Sequence, residues 1–152
     1  MISREKRLGG GVLILLLLLT VEGFGQLTVF PEAYHRALAW QARGWHKAAV
    51  QVFDSLLARK PDVAYLRGTT TGYLALHLPD SARARLGQYP LKATEYLLLR
   101  AEVGCATAQP VEGLQALKEY LAAKVKRSEQ ELQRDTLLRP CQTDPTWAAL
   151  WK

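Results

Sequence analysis

Between Glu32 and Pro61 the apolar residues recur at spacings of three and four, the period of a helix face rather than the alternation of a strand. In the first arm Tyr34, Ala37, Leu38 and Gln41 share one side, and Ala33, Ala37 and Trp40 the neighbouring stripe. In the second arm Ala49, Val50, Phe53, Leu56 and Leu57 form one face. Arg43-Gly44 between them has the order of a helix end, a cation followed by a residue that tolerates positive φ. Pro61 stops the second arm, and Arg59 and Lys60 suit its negative C-terminal end. The stretch predicts a helical hairpin, with small Ala49 where the arms cross and large Phe53 where the gap widens.

Weaker versions of the pattern follow. Over 62–90, Tyr65, Leu66, Tyr73, Leu74 and Leu76 predict a first arm, although Thr69-Thr70-Thr71 is poor helix material. Pro79-Asp80-Ser81 marks the turn, with Asp80 or Ser81 as the cap of a helix carrying Ala82 and Leu86. Aligning Gly44 with Pro79 and Ala49 with Ala84 places this copy 35 residues after the first. Over 93–126, a dense run from Tyr96 to Val103 predicts a central helix, and Pro110 opens a partner striped by Leu114, Leu117, Tyr120 and Leu121. The segment 128–152 is polar at first, then carries Asp144-Pro145, a cap followed by a helix-compatible proline, and Trp147 and Trp151 four apart.

The first hairpin resembles the tetratricopeptide repeat, a helix–turn–helix unit of about 34 residues. Trp40, Gly44, Ala49, Phe53 and Pro61 carry the resemblance; Ala37, Leu56 and Trp45 depart from it. The tail residues Asp135, Leu138, Pro140, Asp144, Pro145, Trp147 and Leu150 are similar to the closing segment of bacterial members, which caps the last hairpin. The competing reading of the tail is a partner-docking stripe at Trp147 and Trp151. The resemblance implies an all-α fold: a right-handed helical-repeat array of about three hairpins (31–61, 62–90, 93–126) with a capping tail (128–152). It also implies a groove lined by the first helix of each hairpin. Carried over residue by residue, that groove presents Tyr34, Leu38 and Gln41, then Leu66, Thr69, Tyr73 and His77. Chaperone-binding members hold a terminal carboxylate with a lysine–asparagine clamp; Tyr34 and Leu38 stand at those positions, so that activity is not implied.

The N-terminus changes the setting. Arg4, Lys6 and Arg7 precede an unbroken apolar run from Val12 to Leu19, and Gly23-Phe24-Gly25 is a small-x-small site, the layout of a secretory signal peptide over 1–25 cleaved after Gly25. The apolar run is shorter than the roughly 20 residues that span a bilayer, so a cleaved signal is favoured over a retained anchor. The expectation is an exported bacterial protein, periplasmic or secreted, with one domain from Gln26 to Lys152 and no stable membrane span. The 152 residues carry a net charge of +6, scattered rather than clustered, which reads as a solvated face and not as a nucleic-acid footprint. In an oxidising compartment Cys105 and Cys141 can form a disulfide; alternatively Cys105 is a small buried apolar residue, and the spacing does not choose between the two.

Motif-bearing chemistry is missing from the sequence. His35, His46 and His77 lie in no HExxH and beside no cysteine, so no metal is expected. No GxSxG, P-loop or GxGxxG lies outside the signal segment, and no cofactor is expected. The expected function is non-enzymatic: a scaffold or adaptor binding a peptide or protein in the groove. The alternative is an assembly subunit of an envelope complex that buries its apolar faces by homo-oligomerisation.

Overall fold

The computed structural model describes residues 31–124 and 126–152; the proposed signal peptide and its cleavage site lie outside them. Among the described residues there are helices and turns and no strand, so the chain is all-α there. In order the helices are α1 (residues 31–42), α2 (His46–Arg59), α3 (Val63–Ala75), α4 (Pro79–Gln88), α5 (Thr94–Ala106), α6 (Pro110–Leu121), α7 (Glu129–Arg134), a 3-10 turn (Arg139–Thr143) and α8 (Pro145–Ala149). None is long and apolar enough to cross a membrane.

The first six helices form three successive pairs, and the turn within each pair has the same construction. Gly44, His77 and Ala108 all take left-handed φ, at 82°, 58° and 56°. The next N–H in each case reaches back five residues: Trp45 to the Trp40 carbonyl, Leu78 to Tyr73 and Gln109 to Gly104, each at 2.9 Å. That bond satisfies a carbonyl the helix end would leave open. The sequence pattern marked only Gly44, because glycine advertises positive φ and histidine and alanine do not.

These turns set the true offset. Gly44 corresponds to His77, so the second pair follows the first by 33 residues, not by the 35 that the proline suggests. Ala82, not Ala84, is the counterpart of Ala49: Ala49 and Ala82 are both 0% exposed, while Ala84 is exposed. Likewise Leu86 answers Phe53. The expected cap also moves, since Pro79 is already the first residue of α4 and Asp80 lies in its first turn.

Small residues allow close approach both between pairs and within them. A Cβ on Gly68 would stand 2.7 Å from three ring atoms of Phe53, and one on Gly113 2.8 Å from the nitrogen and Sγ of Cys105. Thus α2 packs onto α3 through a phenylalanine lying on a glycine, and α6 packs onto α5 backbone to backbone. The cores are three neighbouring clusters, around Ala37, Ala49 and Phe53, around Leu57, Leu66, Ala82 and Leu99, and around Leu98, Leu117, Tyr120 and Trp147. α7 and the 3-10 turn contribute Leu132, Leu138 and Cys141, all 0% exposed, to the last cluster. Cys141 is disulfide-bonded to Cys105 of α5, with the two Cα atoms 5.3 Å apart. The chain therefore ends as a segment packed over the third pair and tied to it covalently.

Candidate partner-binding face

The candidate face is built from the first helix of each pair. α1, α3 and α5 are linked side by side by polar contacts: the Gln41 amide donates to the Thr71 hydroxyl at 2.8 Å and to the Gly68 carbonyl at 3.3 Å, and Arg67 pairs with Glu102. With the register taken from the turns, the outward rows of this face are Tyr34 and Arg67 with Leu98, Leu38 and Thr71 with Glu102, and Gln41 and Leu74 with Cys105 (the third pair lies a further 31 residues on).

Exposure falls along each row. Tyr34, Arg67, Thr71 and Leu74 are half-buried and Leu38 is 38% exposed. Leu98, Glu102 and Cys105 are buried, because Leu132, Leu138 and Cys141 of the tail lie with Leu98 and Cys105 in one cluster. The surface open to a partner is therefore carried by α1 and α3. Tyr34 is fixed by three rings, at 6.0 Å from Phe53, 5.5 Å from Tyr65 and 5.5 Å from His35 between centroids.

Of the seven residues expected to line the groove, Tyr34, Leu38 and Gln41 lie on this face, although Gln41 spends its amide on α3. The other four do not. Leu66 and Thr69 are 0% exposed and offer a partner no surface. Tyr73 turns to the opposite side of α3, where its hydroxyl donates to Asp54 of α2 at 3.0 Å; Arg85 of α4 donates to the same carboxylate oxygen at 2.9 Å. His77 is the left-handed turn residue. The cause is the two-residue slip in register: at 100° per residue it rotates the choice by about 200°, onto the far side of the helix. Aligning the first helical residues, His46 with Pro79, would have given 33 and pointed to Arg67, Thr71 and Leu74.

Electrostatically the face is unusual at one point. Glu102 is fully buried, and burial pushes its carboxyl up from the ordinary 4.5 to about 7; Arg67 opposes the shift and Asp135 adds to it. One carboxylate oxygen meets Arg67, and the other has no hydrogen-bond partner. No group of three or more metal-ligating side chains occurs among the described residues. Among the described residues the other large exposed apolar side chains, Trp45 at 55%, Leu78 at 45% and Val111 at 80%, lie apart from this face, at the turns and on α6. The chain matches no protein-family model, no curated protein and no solved structure.

Proposed function

We propose that the chain is an exported, tetratricopeptide-like adaptor that works by protein–protein contact through the face of α1 and α3. The observation that carries this reading is the strip of Tyr34, Leu38 and Leu74, partly exposed and apolar or aromatic, with Thr71 among them, on helices held in register by Gln41. Three helix pairs with equivalent turns support the repeat reading. The buried disulfide supports export, since such bonds persist in oxidising compartments. The tail, with Trp147 7% exposed and its ring 5.5 Å from that of Trp151, acts as the closing cap rather than as a docking stripe. A partner of the strip is an extended peptide or helix with apolar anchors.

The test is affinity capture from an envelope extract with the native chain, Leu38→Glu, and Trp45→Ser as an exposed site off the face. A partner lost with Leu38→Glu and kept with Trp45→Ser supports the reading; a partner held equally by all three defeats it. The exposed Leu78 and Val111 favour the second reading, an assembly subunit, and sedimentation showing a mass that rises with concentration would select it.

A further inference from the structure

The exposed apolar side chains off the α1–α3 face gather at one place in the fold. Trp45, Leu78 and Val111 stand where α2, α4 and α6 begin. α1 and α3 run the same way, since Tyr34 meets Tyr65 near their starts and Gln41 meets Thr71 near their ends. The turns of successive pairs therefore fall along one edge of the array. Trp45 and Leu78 are equivalent residues on it, each following the left-handed residue of its turn. Val111 stands three residues after Ala108, where the first two pairs carry Lys47 and Asp80 after Gly44 and His77. An apolar side chain at 80% exposure thus holds a place that the other pairs give to a charge. Beside it α6 and α8 leave a cavity of about 500 Å³ walled by Leu114, Ala149 and Leu150, with room for an indole. Charge changes sign along the edge. At one end the Arg43 guanidinium lies over the Trp45 ring, 5.9 Å from its centre, and Lys47 follows. At the other end Glu112 adjoins Val111, and Asp144 borders the cavity with Lys118. Asp80, in the middle, is paired with Arg83. Among the described residues neither Lys47 nor Glu112 is in an ion pair.

We propose that two copies of this chain join edge to edge across a two-fold axis near Leu78, the Trp45 indole of each seated in the α6–α8 cavity of the other. The proposal rests on the assembly reading and names its surface. An apolar row that is cationic at one end and anionic at the other is complementary to itself reversed, which is what an isologous contact requires. An anionic lipid surface would call for cations along the whole row, and Glu112 and Asp144 stand against that. Reversal brings Lys47 of one copy to Glu112 of the other. It also brings Arg43, carried with the indole, to Asp144. Both copies use the same edge, so the contact closes at two and leaves the α1–α3 faces free.

The experiment is sedimentation equilibrium of the purified chain across the micromolar range. Beside it run Trp45→Ser, Val111→Glu and Leu38→Glu, then Lys47→Glu, Glu112→Lys and the last two combined. The parent should pass from one copy to two as concentration rises and stop there. Trp45→Ser and Val111→Glu should each weaken association by on the order of 30-fold, as loss of a buried anchor does, while Leu38→Glu leaves it unchanged. Lys47→Glu and Glu112→Lys should each weaken it, and the combination should restore it, because exchanging the two charges keeps them opposite across the axis. Far-ultraviolet circular dichroism separates loss of contact from loss of fold, and the charge exchange decides the matter even if Trp45→Ser unfolds. A parent that stays monomeric overturns the proposal and the assembly reading together. Association unmoved by Trp45→Ser and Val111→Glu, a combined exchange no tighter than the single ones, or growth past two copies overturns the two-fold edge and leaves the assembly reading standing.

Discussion

Substituting Gly68 by alanine tests the packing of the first helix pair onto the second at a point of close contact. The new methyl carbon would lie 2.7 Å from Cδ1, Cδ2 and Cε1 of Phe53, where ordinary contact begins near 3.4 Å, so the ring must retreat by roughly 0.7 Å. It has little room, being 0% exposed with the Tyr34 ring 6.0 Å away on another side. Overpacking of this kind costs about 1–3 kcal/mol. The helix propensity of alanine returns about 1 kcal/mol of that. The net loss of up to about 2 kcal/mol lowers the thermal midpoint by up to about 8 °C in a chain of this size. Gly87 is the internal control, since it sits in α4 with nothing within 4 Å of an added Cβ. The same substitution there should gain about 0.5–1 kcal/mol and raise the midpoint by about 2–4 °C. The assay is far-ultraviolet circular dichroism on heating. A third variant, Gly68→Ala with Phe53→Leu, should lose less than the two single changes summed, because the smaller side chain relieves the clash. Gly68→Ala melting at or above the parent, or strict additivity in the double variant, would refute the account of Phe53 seated on Gly68.

Three further outcomes are expected. Removing the disulfide with Cys105→Ala and Cys141→Ala should cost about 3–4 kcal/mol for a separation of 36 residues and make the segment 128–152 the first site of limited proteolysis; an unchanged cleavage pattern would show that packing alone holds the tail. Ala108→Gly should raise the thermal midpoint, because alanine at φ 56° in an exposed turn carries about 1 kcal/mol of strain that glycine lacks. Tyr96→Phe should cost about 1 kcal/mol, by denaturant titration, since its hydroxyl donates to the buried Leu86 carbonyl at 2.9 Å.

Local periodicity decided the helical character of this chain: the stripes from Tyr34 to Leu57 and from Leu114 to Leu121 require helix faces, and Pro79, Pro110 and Pro145 each open a helix. Gly44 likewise declared its turn, because only glycine takes φ 82° without strain. The register between pairs was not legible in the same way. It is fixed by backbone bonds at Trp45, Leu78 and Gln109, which no side chain announces, and by His77 and Ala108 held in a conformation their own preferences oppose. A two-residue difference in that register decides whether Leu66, Thr69 and Tyr73 or Arg67, Thr71 and Leu74 face outward, so the candidate surface had to come from tertiary structure. Burial of Glu102 is tertiary for the same reason: its neighbours in sequence, Ala101 and Val103, say nothing of Arg67 35 residues earlier or of Asp135 beyond α7. The cysteines show the division most simply. Their presence allowed a disulfide, but only the return of the tail across α5 brings the two Cα atoms within 5.3 Å, and long-range approach is set by the packing of whole helices rather than by any local pattern.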